Sequence, residues 1–206
     1  MIDFVLGSAS PRRTELLSSL GITHRVLPAD IDETPSAFEL PLPYVRRMAA
    51  AKADAVVTRL APARDSLVLT ADTIVIADGM ILGKPRDEAE GCAMLARLSG
   101  RQHVVATAVS VRRDSGASSP GPLKTGQKKA APQRGDVCVQ TAVRFRSISV
   151  QEARRYWASG EPRDKAGGYG IQGAAREYVS KIDGSYTNVI GLPLVETRLL
   201  LRALGV

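Results

Sequence analysis

The side chains best suited to chemistry are charges that stand where the local pattern asks for apolar residues. Asp72 sits in the middle of VLTADTIVI, a run of strong strand formers in which Asp is disfavoured. Thr70 and Ile74 share its face of the strand, so the carboxylate is expected to point toward a partly buried region. Burying a carboxylate is costly without a partner. Asp72 therefore reads either as half of a structural ion pair or as a general base or metal ligand. Lys52 falls four residues after Met48, inside the apolar stripe Val45, Met48, Ala49, Ala53, Val56 and Leu60. It either snorkels out to water or has a functional role. In SASPRRTELLSSLG, Arg12 and Arg13 occupy the first turn of a predicted helix, where the helix dipole disfavours cations by about 0.3–1 kcal/mol each. Either they are solvated or paired with a nearby Asp or Glu, or an anion belongs there, ringed by Ser8, Ser10 and the helix N–H groups.

Other candidates gain meaning only from this company. Lys84, in a GKP turn, would alone be an ordinary loop lysine. Asp30, Asp32 and Glu33 in ADIDETPS would alone be a solvated acidic loop. Beside Asp72 they could help hold a hard divalent cation, since Mg²⁺ takes few carboxylates and keeps waters and phosphate oxygens. His24 and His103 have no ligand or triad partner at suggestive spacing and read as structural or surface residues. Arginines at a helix start, two lysines and metal-competent carboxylates are the parts needed to bind and cleave a polyphosphate. There is no GxxxxGK[ST] and no kinase signature set, so P-loop and kinase architectures are excluded.

The elements that must position these residues alternate between strand and helix. Strands are predicted at Asp3 to Ser8, Arg25 to Pro28, Ser66 to Ala77, Gln102 to Val111, Val137 to Ser147 and Tyr178 to Ile182. An Asp78-Gly79 turn leads into a hairpin at MILGKP. In the first helix Ser10 is the expected N-cap, Pro11 the first residue and Gly21 the stop. Further helices are expected at Leu42 to Leu60, Asp87 to Ser99, from Ser149 to about Ser159, and Leu194 to Leu204. The class is α/β with a mixed, twisted sheet and flanking helices, in one domain over 1–206.

Charge and composition narrow the partners. Of the net charge of +7, residues 112 to 136 contribute +4, from six basic residues against Asp114 and Asp136. The basicity thus belongs mainly to one Ser-, Gly-, Pro- and Lys-rich segment, which argues against a nucleic-acid-binding face. That segment, 113–136, is expected to be a flexible basic insertion between two strands, too poor in apolar residues to fold alone. No apolar run approaches the roughly 18 residues that span a membrane, and no basic region precedes the apolar N-terminus, so neither membrane insertion nor a signal peptide is expected. Cys92 and Cys138 lie far apart in unrelated contexts, which suits a reducing cytoplasm.

Four motifs taken in order, SASPRR before a leucine-rich helix, the ADT of SLVLTADTIVI, the GKP turn and DKAGGYGIQG, resemble the Maf family of nucleotide pyrophosphatases. The resemblance runs from about residue 4 to 202, broken only by the insertion. YGIQG with the later IDGSYTNVIGLPL is similar to the subfamily acting on dTTP and UTP; a branch acting on 7-methyl-GTP lacks the tyrosine–glutamine pattern. The resemblance implies two lobes around a long cleft, a fold shared with the inosine-triphosphatase type, and cleavage of a nucleoside triphosphate to monophosphate and pyrophosphate with Mg²⁺ or Mn²⁺. It makes Asp72 the proton acceptor and, with Glu33, a metal ligand. Arg13, Lys52 and Lys84 would hold phosphates, and Ser8 and Ser10 would line the loop. Arg12, Thr73 and Gln172 match positions linked to nucleotide choice, with Asp164 and Lys165 near the substrate. The Gln172 amide suits uracil and thymine, since it can donate to a carbonyl and accept from the ring N–H; the bland alternative is a buried glutamine serving structure only.

Two departures from the family pattern stand out. LGSAS replaces the more usual LAS, so Gly7 is expected to loosen the strand end without removing chemistry, and the insertion has no family counterpart. Two rival readings follow. One is a purine-specific triphosphatase of the inosine-triphosphatase kind, and the other a nucleic-acid-binding division regulator using the insertion as a basic arm. By analogy a homodimer is expected.

Overall fold

One long strand organises the chain. In a computed structural model describing residues 2–60, 65–114 and 134–206, Ser66–Ala77 forms a twelve-residue strand, β3, whose two halves have different neighbours. Its first half pairs in parallel with β1 (Asp3–Leu6), which pairs in parallel with the short β2 (Arg25–Val26). Its last three residues turn back through Asp78-Gly79 onto β4 (Met80–Leu82). The other edge pairs along nearly its whole length with β5 (Gln102–Asp114), then come β6 (Arg134–Phe145) and β7 (Val179–Asp183), all antiparallel. Among the described residues these make one mixed sheet in the order β2-β1-β3-β5-β6-β7, with β4 added to β3.

The period-2 alternation of β3 decides what each of its side chains meets. Leu67, Leu69 and Ala71 face α1 (Pro11–Ser19) and α6 (Leu194–Ala203), in a core that includes Leu6, Leu17, Leu192 and Leu204. Each of these leucines contributes about 1.5–3 kcal/mol through burial. Val68, Thr70, Asp72 and Ile74 face the opposite way, toward α2 (Pro41–Val57). Beyond them Val75 and Ala77 join a separate core built from α3 (Glu88–Leu98), α4 (Val150–Ala158) and the turns around Tyr169. The two lobes of the molecule correspond to these cores at opposite ends of β3.

Several boundaries differ from expectation. β5 and β6 extend past Val111 and Val137 because the charges there find acidic partners on β6, on α2 and just before β3. Arg112 bonds Asp54 and Asp136, each at 2.9 Å, and Arg113 grips Asp65 at 3.0 and 2.8 Å. Residues 113–114 and 134–136 of the expected insertion are therefore strand, and 115–133 lie outside the described residues. β1 ends at Leu6, β2 spans only Arg25–Val26, and α2 stops at Val57. Ser10 stands at the N-cap without capping through its side chain. A short helix, α5 (Tyr186–Ile190), has no counterpart in the sequence reading. Gly7 does not loosen its strand end. Its N–H donates to Leu69 O at 2.8 Å, and a Cβ there would come within 2.5 Å of the Thr70 methyl. Among the described residues no helix is long and apolar enough to cross a membrane.

His103, 3 % exposed, meets Tyr169 OH through Nε2 at 2.8 Å, while its Nδ1 is buried without a partner. Burial lowers its pKa from 6.5 to about 4, so the folded chain holds the ring neutral. The unfolded chain takes up the proton below 6.5. Stability from this group is thus complete above that pH and lost as pH falls toward 4. The expected loss between neutrality and about pH 4.5 is roughly 2–3 kcal/mol. Urea unfolding of wild type and His103→Gln at the two pH values checks this: the variant should show a correspondingly smaller decline.

Candidate active site

Between the two lobes, β1 has ended and β4 has not begun. Thr70–Ile74 consequently have ladder partners on β5 and, among the described residues, none on the other edge. A cavity of about 1080 Å³ opens against this bare edge. One wall is the Gly7–Arg13 turn with Glu33 and Lys52; the other is Ile81–Lys84 with the stretch from Glu161 to Gly173.

Asp72 and Lys52 meet at the floor. Asp72 is 8 % and Lys52 9 % exposed, and Lys52 Nζ lies 2.6 Å from Asp72 Oδ1 and 2.9 Å from Glu33 Oε1. Lys52 therefore does not snorkel, because α2 lays its apolar stripe on β3 and the ammonium finds a carboxylate there. Asp72 is in an ion pair, yet one that opens onto the cavity. Tyr44 OH donates to Glu33 O at 2.8 Å and so ties the acidic loop to α2. Burial, with Asp72 and Glu33 nearby, pushes that phenol up to about 12. Of the three acidic residues of the loop, Glu33 alone lines the cavity; Asp32 turns to accept the Thr34 N–H at 2.9 Å.

The arginines at the head of α1 behave differently from a solvated pair. Arg13 donates to Gly191 O at 2.9 Å, Ser8 Oγ at 3.2 Å and Thr73 Oγ1 at 3.0 Å, all neutral acceptors. Its charge is oriented without being neutralised, and burial lowers its pKa, with Asp72 acting in the opposite sense. Thr73, one residue from Asp72 on the strand and hence on the α1 face, also shares a hydrogen bond with Thr107 Oγ1 at 2.9 Å. Ser8 Oγ additionally accepts the Ser10 N–H at 3.2 Å. Arg12 lines the same wall, and among the described residues neither arginine pairs with a carboxylate.

The second lobe brings the remaining candidates to the cavity. Gly167 N–H donates to Gly83 O at 2.9 Å, joining the glycine-rich stretch to the turn that carries Lys84. Gly167 has φ +69°, and a Cβ there would press on Val75 at 2.8 Å, so glycine is required for that approach. Lys84 is exposed on the cavity wall. Lys165 Nζ instead donates to Asp164 Oδ1 and to Glu161 O, both at 2.6 Å. Gln172 lines the cavity and is exposed, so the reading of a buried structural glutamine does not hold. Every residue to which the family resemblance gives a role thus reaches one cavity, whereas Asp30, Asp32, His24 and His103 are not part of its lining.

A family model described as Maf-like protein matches residues 3–204. The chain belongs to the Maf family. It is 44 % identical over 202 residues to a dTTP/UTP pyrophosphatase of Hahella chejuensis, covering 98 % of this chain and 92 % of that one. It is 46 % identical over 199 residues to a dTTP/UTP pyrophosphatase of Aliivibrio fischeri, covering 96 % and 95 %. A solved nucleoside-triphosphatase / dITP/XTP pyrophosphatase of Mycobacterium abscessus shares 13 % identity over 70 % of this chain and 73 % of that one. Its TM-score is 0.39.

For this Maf chain, the donor set also bears on a metal. Among the described residues no three His, Cys, Asp or Glu side chains converge as a closed metal cage. Two carboxylates, Asp72 and Glu33, do converge, and the point they share already holds the Lys52 ammonium. Two hard oxygen donors beside an open cavity fit a cation that completes its shell with water and phosphate oxygens. Sequence reasoning missed Gly191, Thr107, Tyr44 and Glu161. Each acts through a hydrogen bond to a residue distant in the chain, which no local pattern reveals.

Proposed function

We propose that this protein is a nucleoside triphosphate pyrophosphatase that cleaves dTTP and UTP to the monophosphate and pyrophosphate. One observation carries the reading. A buried carboxylate, Asp72, faces a cavity whose walls present Arg12, Arg13 and Lys84 without carboxylate partners among the described residues. That is a socket for an anion bearing several charges beside a base.

In this reading Arg13, preset by Ser8, Thr73 and Gly191, receives phosphate oxygens with Arg12 and Lys84. Its hydrogen-bonded frame means little reorganisation is needed as charge develops in the transition state. Asp72 takes a proton from the water that attacks the phosphoanhydride joining the α and β phosphates, and pyrophosphate leaves. Lys52 holds Asp72 on one side of the reacting centre. Asp72 and Glu33 would hold Mg²⁺ or Mn²⁺, which when bound neutralises triphosphate charge. Ser10, Asp164 and Lys165 line the approach, and Gln172 reads the pyrimidine. Nucleoside triphosphates as substrates agree with a cytoplasmic location and with Cys92 and Cys138 being free thiols. A homodimer is part of this reading by family analogy, whereas a nucleic-acid partner is not; Arg112 is paired with Asp54 of α2 and Asp136 of β6, and Arg113 with Asp65.

Pyrophosphate release over a nucleotide panel with Mg²⁺ or Mn²⁺ tests this. Wild type should favour dTTP and UTP, with CTP and purines far behind. Gln172→Ala should reduce the preference for UTP over CTP by at least about tenfold while slowing turnover less, because cytosine reverses the edge that the amide matches. Inactivity on every nucleotide, or a panel led by ITP and XTP, would reject the assignment.

A further inference from the structure

The catalytic reading leaves one polar network unused, and it lies directly beneath the loop that carries Gln172. Tyr156, buried on α4, donates its hydroxyl to Glu161 Oε1 at 2.8 Å and accepts the Gly170 N–H at 3.0 Å. The other Glu161 oxygen, Oε2, accepts the Ala174 N–H at 2.9 Å. Between these two grips the loop closes on itself, with Gly173 N–H donating to Gly170 O at 3.1 Å. The fit is close at both ends. A Cβ on Gly173 would overlap the Glu161 carboxylate, and one on Gly170 would lie 2.8 Å from the Lys165 side chain.

Gln172 itself is exposed and makes no hydrogen bond among the described residues. Nothing in its own side-chain contacts fixes where its amide points. Its direction is set by the backbone, and that backbone is held by one carboxylate and one phenol. Burial, together with Glu161, raises the Tyr156 pKa, so the hydroxyl keeps its proton and remains a donor through the ordinary working pH range.

We propose that Glu161 and Tyr156 are positioning residues for base selection, clamping the Gly170–Ala174 backbone so that Gln172 presents its amide edge to the pyrimidine. The inference rests on the reading of Gln172 as the base reader and extends it to the residues that hold its loop. Without the clamp the loop still reaches the cavity, but the amide no longer holds one orientation. Discrimination between uracil and cytosine then collapses, while Asp72 on the floor and Arg12 and Arg13 on the facing wall stay in place.

The experiment compares kcat and KM for UTP and CTP in wild type, Glu161→Ala, Glu161→Gln, Tyr156→Phe and Gln172→Ala, with thermal melts of each. Glu161→Ala and Tyr156→Phe should raise the UTP KM about tenfold or more and cut the UTP-to-CTP ratio of kcat/KM by about as much, with kcat changed less than about threefold. Glu161→Gln should retain most of the preference, because its amide can accept from Ala174 N–H and donate to the Tyr156 oxygen. Should Glu161→Ala fail to fold, Tyr156→Phe and Glu161→Gln carry the same comparison. A folded Tyr156→Phe with an unchanged ratio, or equal losses for UTP and CTP through kcat, overturns the clamp. If Gln172→Ala alters the ratio while the clamp variants do not, this inference fails alone. If Gln172→Ala also leaves the ratio unchanged, the base reading beneath it fails.

Discussion

Replacing Asp72 by Asn is expected to lower turnover of UTP by about 10²–10⁴-fold, the range that a positioned general base contributes. Asn matches the shape of the carboxylate and still offers an oxygen to Lys52 Nζ, which sits 2.6 Å from Oδ1. It cannot accept the proton of an attacking water. Lys52 keeps its second partner, Glu33, at 2.9 Å, so the variant retains a satisfied ammonium and should fold. The triphosphate-facing cations on the two walls, Arg12, Arg13 and Lys84, are untouched, so KM for UTP should move far less than kcat. Pyrophosphate release with saturating UTP, alongside a melting curve, checks both halves. Were Asp72 only the structural partner of Lys52, the pattern would invert: a clear drop in melting temperature with turnover within about tenfold of wild type. That outcome would remove Asp72 from the chemistry.

How much of this was legible beforehand depended on whether the signal was local. The strand Ser66–Ala77 is legible to the residue, because from Leu67 to the Asp78-Gly79 turn β-branched and apolar residues are interrupted only by Asp72. Asp72 stood out within it because Asp has no local reason to be there. Lys52 stood out by its place in a helical stripe, but its partner is twenty residues away and is reached only when α2 lies across β3. The ends of β5 and β6 were missed for the opposite reason. Arg112, Arg113 and Asp136 look like loop residues in sequence, and pairing with Asp54 of α2, with Asp65 and across the β5–β6 ladder is what makes them stable in a sheet. The glycine-rich stretch announced a tight structure at DKAGGYGIQG but not what holds it. Glu161 and Tyr156 reach it from another element, and hydrogen bonds of that kind leave no periodicity to read.

Lys52→Met looks conservative in a helix whose neighbouring stripe position is Met48, and it is expected to be the most destabilising single change at the cleft. Removing one member of a buried ion pair leaves an uncompensated charge, at a cost of about 3–5 kcal/mol. Glu33, whose side chain is 51 % exposed, can turn to water, so the lower end of that range applies. Asp72, at 11 % side-chain exposure, is far more confined and loses most of its compensation. Adding Asp72→Asn to Lys52→Met should therefore recover more than half of the lost stability, since the stranded charge goes with its partner. The same variant reports on the metal without relying on turnover. With the ammonium gone, Asp72 and Glu33 face one another beside the cavity, and Mg²⁺ or Mn²⁺ should raise the melting temperature of Lys52→Met well above its effect on wild type. A Lys52→Met chain within about 1 kcal/mol of wild type would mean that the pair contributes little to the fold. A destabilised chain indifferent to divalent ions would mean that these two carboxylates do not form a cation site by themselves.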